Sequence, residues 1–569
     1  MAPAVKIRPK RLPLSDESFR KIIQRNCLYA DKTKYIHDMI NKYDCCFLSR
    51  PRRFGKTLLI KTLEELFLGN HELFEGLWID TDSDYAFQRH PVLKLSMAYS
   101  KIYAKDDLEA RIESDLMDAA EIEDVKITAN SYGEMLGQFL KGVNKKYGVG
   151  GVILIDEYDA PVARHISNRK LAADNREVLH DFYTSIKRNI DFIRFALVTG
   201  ISRFTMTALD SGPNNFVDIS LMPDYAAICG FTISELDELF SDRFKETLDR
   251  LKSDNGIDPK ANEDTLKAMI SEWYDGYSWL GPERVLNPYS ILNFFDQSSF
   301  DDYWTMLGVP SLLSALVRER PMEFIQPSLD SYTSKQIRKI ELGGLDVAPV
   351  LFHSGYLTID GQVFKDVIID GKPAKVKALS FRIPNREVGG NYQSSFFMQA
   401  FDPDNKYFTD FTANLPKALS DKNSSELARL LGILLASITF YQHDTSESYY
   451  HSVIHAAFIA AGIDVMSETP GAHGRADMAV FLNDRVRVAI ELKYRHANPD
   501  EEKDDPAVKA VATKELAASL DDAERQMTEG EYGESLRAIS NKVICLALAI
   551  RGRTQVAARF VDIQSMPPI

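Results

Sequence analysis

Two groups of residues in this chain have types and spacing suited to phosphate chemistry. The first is Ser49-Arg50-Pro51-Arg52-Arg53-Phe54-Gly55-Lys56-Thr57. A basic loop that runs into a helix start presents backbone N–H groups and a positive dipole end to an anion. Lys56 is spaced to reach the β/γ-phosphates of a nucleoside triphosphate such as ATP, and the Thr57 hydroxyl to hold Mg²⁺. The usual phosphate loop has Gly five residues before its Gly-Lys pair, and here that position is Arg50. An arginine lacks glycine's backbone freedom, so the loop needs a second motif beside it.

That motif is Gly151-Val152-Ile153-Leu154-Ile155-Asp156-Glu157-Tyr158-Asp159. An apolar, β-branched run of this length reads as a buried parallel strand. Acids at its C-terminal end lie on the edge where α/β sheets bind ligands. Asp156 suits a Mg²⁺ ligand, directly or through water, and Glu157 suits the group that polarises an attacking water. The same residues also fit a strand followed by a capped helix, since Asp159-Ala160-Pro161 favours a helix start. These acids are expected on a strand neighbouring the loop's own. A further apolar run, Phe192 to Gly200, ends at Thr199, with Arg203 just beyond. Thr199 is placed to touch the γ-phosphate or the water, and Arg203 to offset phosphoryl charge. Spacing equally allows a solvated Arg203.

The second group is Asp477, Glu491 and Lys493. Strand alternation puts Glu491 and Lys493 on one face and Leu492 on the other. A turn at Asn483-Asp484 makes a hairpin that carries Asp477 across to them. Two carboxylates can hold a hard cation such as Mg²⁺ with several waters retained, and Glu447 on the preceding helix can add a ligand. Lys493 can position or deprotonate a water and offset phosphate charge. Metal-activated water attacking a phosphodiester is the chemistry this set suits. A Glu-x-Lys alone also arises on any exposed strand with alternating charge. His451 and His473 lie nearby in the chain and read as surface or capping residues.

The elements that must position these groups follow from periodicity and caps. Ser18 to Ile40 reads as helix, turn, helix, with Asp31 as an N-cap. Cys45 to Leu48 and Pro91 to Ser96 read as strands, Leu58 to Leu68 as a helix, and Leu108 to Leu140 as broken helices. Phe231 to Leu251 reads as one amphipathic helix capped by Thr232 or Ser234. Trp273 to Trp279 is an aromatic turn around Gly276 whose residues suit core packing. Leu351 to Ile359 and Ala378 to Pro384 read as strands of a hairpin that follows helices. Glu447 to Ala461 is a helix, stopped by Gly462. Val543 to Ile550 is expected as the buried strand that closes the last sheet. Asp500 to Pro506, an acidic stretch after Lys493, reads as a solvated loop.

The chain has 569 residues, 45% hydrophobic and 26% charged, which suits two to four globular domains. A net charge of −14 argues against coating nucleic acid through overall charge, though not against a local basic groove. Five cysteines without metal-ligand spacing point to a reducing compartment, the cytoplasm or its like. No apolar run approaches the ~20 residues of a membrane span, so no membrane partner is expected. The basic start, Met1 to Pro13, has no apolar core and does not read as a signal peptide.

The Arg50 to Thr57 loop, Tyr29-Ala30-Asp31-Lys32-Thr33 and Leu154 to Asp159 together resemble the AAA-ATPase-like family, which is typically fused to a C-terminal PD-(D/E)XK nuclease domain. The resemblance continues through Gly230-Phe231-Thr232, Trp273-Tyr274-Asp275-Gly276-Tyr277, Leu286-Asn287-Pro288-Tyr289-Ser290 and Ile383 to Val388. An arginine at the position of Arg50 is that family's habit. The resemblance implies an α/β fold: a P-loop NTPase parallel sheet with a helical lid and a winged-helix-like region, then a restriction-endonuclease-like α/β domain. It implies a nucleotide-binding domain over 1–228, the lid and winged region over 229–390, a linker over 391–425 and the nuclease domain over 426–569. ATP and Mg²⁺ are the implied cofactors, held by Arg50, Pro51, Arg52, Arg53, Phe54, Gly55, Lys56, Thr57, Asp156, Thr199 and Arg203. Asp477, Glu491 and Lys493 are carried over as nuclease residues, and Gln526 matches the glutamine of the following helix. The implied partner is nucleic acid, DNA before RNA, with a homo-oligomer expected from arginines shared across subunits in AAA-type modules. The alternative is a nucleotide-dependent switch whose nuclease-like domain binds without efficient cleavage.

Overall fold

The computed structural model describes residues 10–14, 18–99, 101–166, 168–201, 216–254, 256–309, 311–325, 327, 329, 331–338, 346–369, 372–401, 407–437, 446–470, 475–483, 486–497, 506–529 and 542–561. The chain divides into two units, Met1–Leu312 with Ser328–Gly390, and Leu313–Pro327 with Asn391–Ile569.

The first unit is organised by a parallel sheet of β1 (Cys45–Ser49), β2 (Val92–Ser96), β3 (Gly151–Asp156), β4 (Ile193–Gly200) and β5 (Val217–Asp218), in the order β2-β3-β4-β1-β5. Every residue of β1 and β3 is buried, as expected for strands covered on both faces. Helices Lys56–Phe67, Lys105–Ile122, Tyr132–Tyr147 and Arg169–Arg188 supply the cover. The second of them buries Leu108, Ile112 and Leu116, spaced by four and hence on one face. The strand order corrects one expectation. The acids of β3 are not on the strand next to the loop; β4 lies between β1 and β3, and it carries Thr199.

Beyond the sheet, one expected helix is two. Ile233–Leu239 starts from a capping box of Thr232 and Glu235, and Phe244–Ser253 follows after a polar turn at Ser241-Asp242. Serine and aspartate compete with helical hydrogen bonds there, and the break still lets Phe240 and Phe244 enter one aromatic core with Tyr274, Phe294 and Phe295. The expected strand from Leu351 is a helix, Val347–Ser354, all buried and ended by Gly355 at φ 90°. A short apolar run buried all round has no periodicity to separate helix from strand. A hairpin does follow, but with longer strands than expected and a tighter turn: β7 (Thr358–Ile369) pairs with β8 (Lys372–Arg382), taking in most of the residues expected as the turn region, and β6 (Tyr332–Thr333) pairs with β8 to give the order β6-β8-β7.

The second unit holds a mixed sheet in the order β13-β12-β11-β10-β9: β9 (Asp464–Pro470), β10 (Arg475–Asn483), β11 (Val486–Arg495), β12 (Lys542–Arg551) and β13 (Gln555–Val561). Only β11 and β12 run parallel, joined by the helix Pro506–Glu529. β12 was expected to close the sheet, but β13 pairs beyond it. The signal of β13 was weak because six of its seven residues are only half-buried. Residues 391–425, expected as a linker, are largely helical, in Arg386–Phe401, Phe408–Ser420 and the start of Ser424–Ser437. Among the described residues no helix is long and apolar enough to cross a membrane. All five cysteines are buried and none forms a disulfide.

Candidate functional sites

The loop after β1 turns into the helix Lys56–Phe67 through two left-handed residues, Arg53 at φ 66° and Gly55 at φ 95°. Lys56 Nζ donates to the carbonyls of Arg50 and Pro51 at 2.8 and 2.9 Å. Burial draws the Lys56 ammonium below its ordinary pKa, opposed by Asp156 and Asp159. Asp156 gathers three donors. Thr57 Oγ1 reaches its Oδ2 at 2.7 Å, while Thr199 Oγ1 and the Glu157 N–H reach Oδ1 at 2.7 and 3.0 Å. Thr57 at the helix start is thus brought together with Asp156 and Thr199 at two strand ends. Glu157 sits at φ 50°, a backbone state that costs energy outside glycine and clusters at functional sites.

A cavity of about 570 Å³ opens on this loop. Its lining includes the polar Arg52, Arg53, Lys56, Thr57 and Glu157 and the apolar Leu14, Leu28, Tyr29, Ile228 and Leu292. Such a mixed lining suits a small ligand with both anionic and apolar parts. Arg164 also lines it, with Nη1 donating to the carbonyls of Ala98 and Tyr99 and Nη2 at 3.9 Å from Glu157 Oε2. No spacing signal in the sequence marks Arg164. Arg203 lies outside the described residues.

Arg50 does not line the cavity. Its guanidinium is buried, donates to the carbonyls of Ser49, Ser220 and Tyr225, and lies 4.3 Å from the centre of the Trp279 ring. Burial pulls its pKa down to about 10, so it stays charged at neutral pH. Arg50 was expected among the residues that hold the nucleotide; its side chain instead braces the loop against the segment after β5. The neighbouring residues are gripped in turn. A Cβ added at Gly355 would meet Pro51 Cβ at 2.8 Å, Trp304 Nε1 donates to the Arg52 carbonyl at 3.2 Å, Arg53 lies 5.4 Å from the Tyr289 ring, and Phe54 meets Tyr277 edge-on at 4.8 Å. The aromatic turn thus packs as core, as expected, and what it packs on is the loop.

This makes a prediction. Arg50→Gly restores the commoner loop sequence but strips donors from buried carbonyls, each worth about 1–3 kcal/mol when orphaned. The expected result is a melting temperature lower by several degrees in scanning calorimetry, with no gain in nucleotide affinity.

The second site is built by the β10–β11 hairpin. Met478 pairs with Ile490, which sets Asp477 opposite Glu491. Asp477 Oδ2 accepts from the Leu492 N–H at 2.8 Å, and Lys493 Nζ meets Glu491 Oε1 at 2.8 Å. Helix Glu447–Ala460 reaches the same strands twice: Glu447 Oε2 accepts from the Tyr494 N–H at 2.8 Å, and His451 Nε2 donates to the Asp477 carbonyl at 2.9 Å. The His451 contact was missed, because nothing in its spacing separates it from a surface histidine. Glu491 is fully buried and its Oε2 has no hydrogen-bond partner among the described residues. Burial, with Asp477 and Glu447 adding to it against Lys493, pushes its pKa up to about 7. Burial pulls the Lys493 ammonium down, but its bond to Glu491 and the nearby carboxylates outweigh that and leave it raised.

An orphaned, buried carboxylate oxygen beside a second carboxylate fits a hard cation. Among the described residues no three of His, Cys, Asp and Glu are gathered as a metal site, so such a cation would keep waters. Gln526 is exposed on the helix Pro506–Glu529, next to the buried Met527. His473 and Asp500 to Asp505 lie outside the described residues.

The geometry agrees with the comparisons to known proteins. Residues 13–210 match the family model of the predicted AAA-ATPase, and residues 445–560 that of the PD-(D/E)XK nuclease superfamily. An uncharacterized protein of the vnfD 5′ region in Azotobacter chroococcum mcd 1 is 32% identical over 498 residues, covering 86% of this chain and 90% of that protein. Among solved structures, Drosophila ORC bound to GC-rich DNA and Cdc6 aligns with 49% of this chain and 90% of its own at 11% identity and a TM-score of 0.16. The E. coli MS115-1 HORMA:CdnC:Trip13 complex aligns with 47% of this chain and 92% of its own at 13% identity and a TM-score of 0.17. At those scores neither likeness bears on fold or function. The chain belongs to the family of the Azotobacter protein, with a predicted AAA-ATPase domain followed by a PD-(D/E)XK nuclease superfamily domain.

Proposed function

We propose that the first unit binds and hydrolyses ATP and that this controls Mg²⁺-dependent cleavage of nucleic acid, DNA before RNA, in the second. The observation that carries the nuclease reading is the buried Glu491, its Oε2 unpaired among the described residues, opposite Asp477 and bonded to Lys493. When bound there, Mg²⁺ supplies an activated water and offsets phosphate charge. Asp477 and Glu491 would hold it, with Glu447 close enough to hold one of its waters. Lys493, already oriented by Glu491, would set the attacking water in line with the phosphodiester and balance the charge that develops. His451 keeps the Asp477 backbone in place.

At the other site, Arg52 to Thr57 would cradle the phosphates and the apolar residues of the cavity would take the base. Thr57 and Asp156, already 2.7 Å apart, would share Mg²⁺ with the nucleotide. Thr199 orients Asp156, and Glu157 would polarise the attacking water.

The test is a cleavage assay of the full chain on single- and double-stranded DNA and RNA, with Mg²⁺ or Mn²⁺, with and without ATP. Metal-dependent cleavage whose rate changes with ATP is expected. ATP turnover with no cleavage of any substrate would overturn the nuclease reading in favour of a nucleotide-dependent switch.

A further inference from the structure

The loop's aromatic contacts end on a buried acid that the mechanism above does not use. Glu387 is fully buried, at the start of the helix Arg386–Phe401. Its carboxyl groups with the Ser290 hydroxyl, which lies 2.9 and 2.8 Å from Oε1 and Oε2, and Oε1 accepts from the Trp304 N–H at 2.6 Å. The same Trp304 turns its indole N–H onto the Arg52 carbonyl, inside the phosphate loop. Its ring lies against Tyr356 at 5.1 Å, and a Cβ added at Gly355 would meet it at 3.0 Å. The tryptophan therefore has little room to move alone. Its main chain is fixed by Glu387 and its side chain fixes Arg52.

We propose that Trp304 and Glu387 are positioning residues for nucleotide binding: Glu387 holds the Trp304 backbone, and Trp304 holds the phosphate loop open to its ligand through the Arg52 carbonyl. The inference rests on the reading of Arg52 to Thr57 as a nucleotide site. It deepens that reading, because a carbonyl anchored by the indole cannot turn inward to face a phosphate, where it would repel it. Anchoring Arg52 O thus favours the loop shape in which N–H groups face the anion.

The state of Glu387 matters to the anchor. Burial raises its pKa to about 8, with Asp302 and Asp301 adding to the rise and the Trp304 and Ser290 bonds opposing it. Tyr274, Tyr277 and Tyr303 also lie within electrostatic reach, and all three are held neutral by burial at these pH values. The neutral acid is therefore the form the fold favours. In this proposal the anchored loop encloses Glu387, as in the structure, and a loop released from Trp304 exposes it to water. A carboxyl group that titrates higher when enclosed binds more protons in the anchored form, so anchoring is most favoured at low pH, loses support as pH rises toward 8, and changes no further once both forms are ionised.

The experiment measures affinity of the full chain for a fluorescent, non-hydrolysable ATP analogue from pH 6 to 9.5, with melting curves alongside. Wild-type affinity is expected to fall as pH rises to 8 and then level off. Glu387→Gln keeps the shape and acceptor of the neutral acid, so its affinity is expected to stay flat over this range. Trp304→Phe keeps the ring but not the donor, and is expected to bind about tenfold more weakly at every pH, with kcat at saturating ATP within about threefold of wild type. Should Trp304→Phe fail to fold, Ser290→Ala, which removes one partner of Glu387, is expected to steepen the wild-type pH dependence. Matching profiles for wild type and Glu387→Gln, or wild-type affinity in Trp304→Phe, would overturn the assignment. Lys56→Ala separates the two levels. If it binds as wild type does, the nucleotide reading fails and the positioning role fails with it. If only Lys56→Ala weakens binding, the positioning role alone is lost.

Discussion

Replacing Asp477 by Asn is expected to lower metal-dependent cleavage at least about a hundredfold while leaving the melting temperature within a few degrees of wild type. The two effects separate because the side chain has two jobs. One carboxylate oxygen accepts the Leu492 N–H at 2.8 Å, and an asparagine amide oxygen can take that bond over. The other job is charge. Asp477 and Glu491 face each other across the hairpin, and Glu491 has a buried oxygen with no partner among the described residues. Beyond the one bond from Lys493, two carboxylates so placed are relieved by a cation or by a proton on Glu491, and the cation is the one that leaves both carboxylates charged. Loss of an outer-shell contact alone costs 10–100-fold at metal sites, so loss of a charged ligand is expected to exceed that range. Removing the Asp477 charge also takes away one of the causes that hold Glu491 above its ordinary pKa, so stability does not suffer from the change. Initial rates on a linear DNA substrate, paired with thermal melts, give the answer. Cleavage by Asp477→Asn at the wild-type rate would sink the carboxylate-pair mechanism.

What could be read from the sequence and what could not divides along contact distance. The parallel sheet was legible because β1, β3 and the centre of β4, Phe195 to Val198, are apolar runs of the kind that buried parallel strands favour. The pairing of Asp477 with Glu491 was legible because a turn and a period of two fix register locally. Arg50 was not legible. Its acceptors at Ser220 and Tyr225 are more than 160 residues away, and no local pattern distinguishes a buried brace from a phosphate contact. Glu387 is the same case. A glutamate in the first turn of a helix ordinarily answers the helix dipole in solvent, and only the approach of Ser290 and Trp304 buries this one. The helix Val347–Ser354 failed for a different reason, since burial on all sides erases the amphipathic period. The partner of the loop was the largest omission. The aromatic turn was assigned to a core, correctly, but the sequence does not say that the core includes Phe54 and the Arg50 guanidinium. That contact gives the arginine in place of glycine its physical reason: the loop is shaped by what grips it from outside.

Lys56→Ala is expected to weaken ATP binding on the order of a hundredfold, and the size of that loss depends on what Lys56 does before the nucleotide arrives. Its ammonium donates to the carbonyls of Arg50 and Pro51, so the cation is not free in the nucleotide-free loop. Binding must exchange these bonds for bonds to phosphate oxygens. A bond with one ionised partner is already about twice as strong as a neutral pair, so the bonds to the carbonyls offset part of what the attraction to phosphate gains, and the net gain is smaller than a phosphate contact counted alone. A gain of about 1.4 kcal/mol accounts for each tenfold in affinity, so a hundredfold loss corresponds to about 2.8 kcal/mol of net attraction to the phosphates. The variant also leaves both carbonyls without their donor. If they stay buried, each costs about 1–3 kcal/mol, and melting should fall by a few degrees even without nucleotide. Calorimetric titration with ATP and Mg²⁺, beside melts of both proteins without ligand, resolves the two effects. Reduced melting with unchanged affinity would mean that Lys56 only closes its own loop, and that the anion this loop binds, if any, is not the phosphate of a nucleotide. Reduced affinity in the presence of Mg²⁺, together with a like loss in Thr57→Ala only when Mg²⁺ is present, is the pattern expected if Lys56 meets the phosphates while Thr57 and Asp156 meet the cation.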